Sequence, residues 1–392
     1  MIEVFAGARL FDGERIVDDA ALVCEDGRIV AITSHEQRPK GGRQHDLGGG
    51  ILAPGLVDWQ VNGGGGVLFN ETPTVDGIAA IVAAHQRFGT TSMLPTLITD
   101  APNILSEALA AAREAQGRIA GAIGIHVEGP FIDPRRKGAH PAQYIRAMTP
   151  GDADTLIAAK TGAMVVTVAP CAASNDLIAR LARAGVIVSL GHAECGIEEA
   201  NGAFEAGARA ATHLYNAMSQ LGHRQPGLVG ATLGNERIFC GLIADGVHVH
   251  DTAMRIAFGI KGAGMIALVS DAMPPAAGGP DHFELQGRQI SRNGIALTNS
   301  DGTLAGAAIT LLEAVRHMVF VLDVPVAAAL EMATLTPARL LRLENSIGRL
   351  APGLRADLLH LDDALNIRGV WIGGKPLPDA TVKSYGESLR SL

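Results

Sequence analysis

Glu128, His192 and His213, with Asp271, are the residues of this chain whose types suit metal-assisted chemistry. Each follows a short apolar run: AIGIHV before Glu128, VIVSLG before His192, ARAAT before His213 and MIALVS before Asp271. One carboxylate and two imidazoles are a ligand set for a catalytic divalent ion, with a coordination position left for water. A free aspartate beside that water could take up its proton and return it. Four polar residues at the ends of four strand-like runs point to one shared site, which no single local motif would justify.

The elements that must position them follow from periodicity. Eight near-continuous apolar runs read as strands: 56–61, 92–97, 122–127, 164–168, 186–190, 208–212, 238–243 and 265–269. Such runs suit a parallel sheet buried on both faces. Helical spacing lies between them, as in Ile78, Ile81, Val82, His85 and Phe88, and again in Ile197, Ala200, Ala203, Phe204 and Gly207. Eight strands alternating with helices predict an α/β fold, a (β/α)8 TIM barrel. The rival, an open doubly wound sheet, would carry a Gly-rich phosphate loop after its first strand. The first strand is instead followed by NGGGG (62–66), either a mobile lid or a tight turn. SMLPTL is the weakest strand, because Pro95 lacks a ladder donor. The last barrel helix is expected over 307–320, with a further helix over 326–341.

Both chain ends are β-like. Asp12-Gly13 and Asp26-Gly27 separate VFAGARLF, ALVCE and RIVAIT, which is hairpin chemistry, and ADLLHLD, IRGVWIGGKPL and ATVKSYG share that texture. The expected division is a small β-sandwich domain from 1–52 and 351–392, and a barrel over 53–350. In a barrel, chemistry sits at the C-terminal strand ends. Asp58 and Gln60 end strand one, Glu128 strand three, His192 strand five, His213 strand six and Asp271 strand eight, and His248 follows strand seven by a short loop.

Bulk properties bound the alternatives. The chain has 392 residues, 47% of them hydrophobic, and a formal net charge of −8. With no basic tract, nucleic acid is not an expected partner. Mean hydropathy is +0.22, yet no run of about 18 apolar residues exists to span a bilayer, so no membrane role is expected. The opening MIEVFAGARLFDGERI reads as structure and not as a leader. Cys24, Cys171, Cys195 and Cys240 show neither disulfide nor zinc spacing, which fits a reduced, cytoplasmic setting. Cys195, three residues after His192, reads as a bystander thiol.

Each chemical reading has a structural alternative. Glu128 could pair with Lys137, and Asp271 could cap a following turn. His126 fits the barrel interior slightly better than a place behind the metal ligands. His140, in the loop KGAHP, would by default be solvated, as would His223 and Arg224 in LGHRQPG.

The motifs PGLVDWQVNGGGG, HVEGPFIDPRRKGAH, SLGHAE, THLYNAMSQLGHRQPGLVG, IADGVHVH, LVSDAM and GTLAGAAITL resemble the N-acetylglucosamine-6-phosphate deacetylases of the amidohydrolase superfamily. The likeness runs from LFDG to SIGRLAPGLRADLLHLD. THLYNAM and HVEGPF followed by KGAH are quite specific to that family, whereas PGLVD and PGLRADLL belong to the wider superfamily. The resemblance implies a (β/α)8 barrel with a small β-sandwich from both ends. It implies metal ligands at Glu128, His192 and His213 and a catalytic aspartate at Asp271. His140, next to Ala139, would help polarise the acetyl carbonyl. Asn216 and Ala217 would hold the sugar phosphate, His248 would touch substrate, and Arg224 would reach the neighbouring active site of a homodimer.

One departure is informative. Many superfamily members carry His-x-His after the aspartate of strand one, where a second metal binds, and this chain has Gln60 and Asn62. Neutral amides are poor transition-metal ligands. One divalent ion per subunit, zinc or a similar ion, is therefore expected, with Gln60 a weak contact at most. The implied reaction is hydrolysis of the N-acetyl group of N-acetylglucosamine 6-phosphate. Rivals are the galactosamine epimer, another amidohydrolase, or a non-catalytic binding barrel. Cyclic amidases usually use His-x-His and a carboxylated lysine, both missing here.

Overall fold

The computed structural model describes residues 1–299, 302 and 304–378, and the run ATVKSYG lies outside the described residues. At its centre eight parallel strands pair in sequence order: β1 (Leu56–Val61), β2 (Thr90–Ile98), β3 (Gly124–Glu128), β4 (Ala163–Val168), β5 (Ile187–Leu190), β6 (Ala210–Ala211), β7 (Phe239–Leu242) and β8 (Ile266–Leu268). All eight predicted strands are present. Pro95 falls inside β2, and the pairing with β1 shifts register between Met93 and Pro95, which accommodates the missing donor.

β1 and β8 share no regular ladder. Their seam is closed just beyond the strand ends: Asp271 N–H donates to Gln60 C=O at 3.0 Å and Gly63 N–H to Ala272 C=O at 2.8 Å. The buried Asp58 carboxylate accepts from Ser270 N–H at 3.2 Å and from Gln60 N–H at 3.2 Å. The barrel therefore closes through the segments that carry the chemistry.

The barrel interior beneath the strand ends is partly polar. His126 Nε2 lies 2.8 Å from Thr167 Oγ1, which lies 2.7 Å from Thr212 Oγ1, itself 2.7 Å from Ser189 Oγ. His126 is fully buried against Trp59, and burial pushes its pKa down to about 4. It is a barrel-interior residue, as its place in the sequence suggested.

The NGGGG segment is a tight turn. Gly63–Gly64 pairs antiparallel with Val67–Leu68, and Gly65 and Gly66 take φ of +60° and +91°, the left-handed pair a two-residue hairpin needs.

The chain ends build two sheets, and only the second draws strands from both ends. One contains Ile2–Ala6, Ala20–Glu25, Arg28–Ser34 and Arg43–Asp46. The other mixes Arg9–Phe11, Ile16–Val17 and Ile51–Pro54 with Leu358–Leu361, Ile367–Ile372 and Lys375–Pro376. Phe5, Leu22 and Ile29 of the first pack with Leu10, Leu52, Leu358 and Trp371 of the second, forming a small sandwich. VFAGARLF is thus two strands in two sheets, broken at Gly7 with φ +85°.

Two expectations change, and one sheet is additional. The helix expected over 307–320 spans Leu311–Phe320, because Thr310 and Glu313 form a reciprocal cap and fix its start. The helix expected over 326–341 is two, Val326–Met332 and Leu335–Leu340. Between β8 and Leu311 stands an unforeseen antiparallel sheet of His282–Leu285, Arg288–Asn293, Ala296–Asn299 and Leu304–Ala307.

Candidate active site

Parallel strands running in one direction deliver their C-terminal residues to one rim. Glu128 ends β3, His192 follows β5, His213 follows β6 and Asp271 follows β8; the first three are buried and Asp271 is part-buried. His192, His213 and Asp271 adopt positive φ of 46°, 32° and 47°. This is costly for a residue with a Cβ, on the order of 1–3 kcal/mol each, and is tolerated where the surroundings over-determine it. The left-handed bend just past each strand turns the side chain inward over the barrel mouth.

There the side chains meet. Glu128 Oε1 lies 3.1 Å from His192 Nε2 and 3.0 Å from His213 Nε2, and the two nitrogens are 3.0 Å apart. Ligands at about 2.0–2.2 Å from a tetrahedral ion sit roughly 3.4 Å from one another, so this triangle has the size of one ion's coordination face. His192 Nδ1 donates to Arg136 C=O at 2.8 Å, which leaves a lone pair on Nε2, as a ligating imidazole requires. Burial disfavours a charged Glu128, yet the two imidazoles outweigh it and hold its carboxyl well below the usual range. The same carboxylate holds His213 raised against the effect of burial. The cluster demands positive charge between these atoms, which a divalent cation would supply. His140 also presents a ligand atom to Glu128 and His192, the three lying within 4.8 Å of one another. Among the described residues Lys137 does not pair with Glu128; its Nζ donates to Gly138 C=O.

Asp271 caps no turn with its carboxylate. Its Oδ1 accepts from Asn62 Nδ2 at 2.6 Å and from Gln60 Nε2 at 3.2 Å. Burial first, then the negative charge of Glu128, push its pKa up to about 6. Gln60 Nε2 also lies 3.3 Å from both Glu128 oxygens. Two amides thus stand at positions 60 and 62: Gln60 bridges the Glu128 and Asp271 carboxylates, and Asn62 donates to Asp271.

The loop histidine departs from its solvated default, for His140 is only 3% exposed. Its Nδ1 accepts from Thr99 N–H at 3.3 Å and lies 2.7 Å from Thr99 Oγ1. The proton is thereby assigned to Nε2. Burial, then the neighbouring His192, hold the ring well below the ordinary histidine pKa, so His140 is a neutral N–H donor. Across the mouth, His248 Nδ1 lies 2.6 Å from Asp245 Oδ2. Its buried Nε2 has no partner among the described residues. Burial lowers its pKa but Asp245 more than compensates, leaving it raised. Cys195 is a buried thiol pushed up to about 12, chiefly by burial, in keeping with a bystander.

Glu128, His140, His192, His213, His248 and Asp271, with Ala139, Asn216 and Ala217, line a cavity of about 410 Å³, in the range of small-molecule sites. Arg224 is exposed on the loop 220–226 and is absent from the wall of its own chain's cavity. A larger depression, about 910 Å³, lies at the opposite barrel end near Arg209, Asn235 and Arg342, and none of the strand-end residues opens into it.

The model of the amidohydrolase family matches residues 51–377. The chain belongs to the amidohydrolase family. Within the family it is 36% identical over 377 residues to the N-acetylgalactosamine-6-phosphate deacetylase of Shewanella sp. (strain ANA-3), covering 95% of each. It is 36% identical over 387 residues to the N-acetylglucosamine-6-phosphate deacetylase of Bos taurus, covering 93% of this chain and 94% of the relative. The crystal structure of N-acetylglucosamine-6-phosphate deacetylase from Pasteurella multocida superposes with a TM-score of 0.93 at 32% identity, over 96% of this chain and 100% of that one. An Asp-to-Ala variant of the Mycobacterium smegmatis deacetylase, in complex with N-acetyl-D-glucosamine-6-phosphate, gives 0.88 at 30% identity over 96% and 98%.

On this amidohydrolase scaffold several wall residues carry no local sequence signal. Arg135 and Arg136 line the cavity but are tied to Asp133 and Glu194. Leu304 and Gly306, from the added sheet, also line it. Asn293-Gly294 between alternating runs was a legible hairpin signal for that sheet. Nothing local marked the two arginines as facing the site.

Proposed function

We propose that the chain hydrolyses the acetamide of N-acetylglucosamine 6-phosphate, releasing acetate and glucosamine 6-phosphate. The observation that carries this reading is the buried Glu128–His192–His213 triangle facing Asp271 at the base of a cavity of sugar-phosphate size. Glu128, His192 and His213 would hold one divalent ion, zinc in this reading, which when bound would acidify a water and polarise a carbonyl. Asp271, with its raised pKa, is suited to accept the proton of the attacking water. It then returns that proton to the amine, which leaves poorly unless protonated. His140 donates its Nε2–H to the acetyl oxygen as negative charge develops there. Asn62 and Gln60 aim the Asp271 carboxylate, and their donors occupy the position where a second ion would need ligands.

The phosphate end falls to Asn216, Ala217 and His248, with Arg224 supplied by the neighbouring subunit of a homodimer. The exposure of Arg224, away from its own cavity, supports that assignment. A second reading, the galactosamine epimer, is favoured by the likeness to the Shewanella deacetylase.

Acetate release from N-acetylglucosamine and N-acetylgalactosamine, each with and without the 6-phosphate, tests the reading before and after chelation. Turnover of a 6-phosphate that is lost on chelation and restored by one equivalent of zinc is expected. Turnover that survives complete metal removal, or two tightly held ions per chain, would count against it.

A further inference from the structure

The added sheet between β8 and Leu311 takes no part in the chemistry above, yet its tip is bonded to both sides of His140. Leu285 pairs with Arg288 across a two-residue turn of Gln286 and Gly287, with φ of +52° and +78°. A glutamine in the left-handed region is unfavourable without a compensating contact. Here its Nε2 donates to Thr99 C=O at 3.1 Å, while Arg288 Nη2 donates to Ala139 C=O at 2.8 Å. Thr99 holds Nδ1 of His140 through its N–H and hydroxyl, and Ala139 is the residue before His140. Leu285, Ile290 and Leu297 form an apolar cluster with Ile98 and Met273, and Ala139 packs against it. His140 itself belongs to neither helix nor strand, so its ring direction depends on these two peptide units.

We propose that Gln286 and Arg288 are positioning residues for the reaction: from the hairpin tip they clamp the Thr99 and Ala139 peptides and so fix the tautomer and aim of the His140 imidazole. This rests on the reading of His140 as the donor to the acetyl oxygen. Both side chains are exposed, so replacing them removes no core packing, and a purely structural role would leave His140 unaffected. The clamp also links distant sequence, since Gln286 and Arg288 belong to the insertion after β8 whereas Thr99 follows β2.

The test uses the metal-loaded enzyme with 15N-labelled histidine, comparing wild type with a Gln286→Ala/Arg288→Ala double variant. The His140 resonances are assigned by their loss in His140→Ala. The clamp predicts a single Nε2–H tautomer in wild type and an exchange-averaged ring in the double variant. It also predicts a kcat lowered on the order of ten-fold, with KM changed by less than about two-fold. The double variant should cost nothing further in the His140→Ala background, and Arg288→Lys, which keeps a donor for Ala139 C=O, should recover much of the rate. Unchanged His140 resonances in the double variant would overturn the clamp, as would full kcat in the double variant beside a crippled His140→Ala. If wild type hydrolyses no N-acetylhexosamine 6-phosphate, the deacetylase reading falls, and the His140 resonances alone decide the clamp.

Discussion

Asp271 combines two properties that a proton shuttle needs: a part-buried carboxylate pushed up to about 6 and two amide donors that fix its direction. Asp271→Asn keeps the shape and removes the base. Turnover should fall by about 10²–10⁴-fold, while metal content measured by elemental analysis stays at the wild-type value. Near-normal turnover would remove Asp271 from the chemistry. His248 gives a pH signature. Its raised pKa keeps it cationic at pH values where an ordinary histidine has lost charge, and that charge disappears as pH rises through the raised value. KM for the 6-phosphate should therefore climb on the alkaline side, KM for the unphosphorylated sugar should stay flat, and His248→Asn should abolish the difference. The stability that the Asp245–His248 pair lends follows the same direction through His248: full below the ordinary histidine pKa and lost as pH rises through the folded-state value. At this scale the convergence of Glu128, His192, His213 and Asp271 on one rim was legible, because each polar residue interrupts an apolar run. The sequence was a poor guide at His140, because a loop's burial is decided by what packs over it, here a segment some 150 residues away.

The elements repeat that division. β1 to β8 were legible because a strand buried on both faces must be apolar throughout, and that pattern is local. The closure between β1 and β8 was not, since it runs through one buried carboxylate and a few backbone bonds. Asp58 receives Ser270 N–H and Gln60 N–H where no ladder exists. Asp58→Ala leaves those buried donors unmet and should destabilise the fold by about 2–4 kcal/mol, seen as a lower urea midpoint. Asp58→Asn, whose amide oxygen still accepts, should lose less. An equal loss in both variants would mean that the charge of Asp58, and not its acceptor geometry, holds the seam. The added sheet after β8 is marked in the sequence by little more than the Asn293-Gly294 turn. Its strands are short and polar on one face, because they cover a cavity instead of filling a core.

For the whole molecule, the question is how an acidic chain gathers enough positive charge for a phosphate. The net charge is −8, and the two arginines in the cavity wall are committed to Asp133 and Glu194. Among the described residues outside the Glu128 cluster, His248 lines the cavity with a raised pKa and an unpartnered Nε2. Arg224, exposed on the loop 220–226, completes the phosphate site only if a second copy brings it across a two-fold interface, which is self-complementary by symmetry. Complementation separates this arrangement from a self-sufficient subunit. Arg224→Ala and Asp271→Asn chains are each expected to be nearly inactive alone. After mixing at equal amounts and exchange of subunits, half the dimers are heterodimers, and each contains one site with a native Asp271 and a native Arg224 from its neighbour. Activity should return to about a quarter of wild type. Without subunit exchange, or at dilutions where the dimer dissociates, it should not return. A monomeric enzyme by sedimentation, or mixtures that stay as inactive as their parents after proven exchange, would place Arg224 outside the site and require another cation for the phosphate.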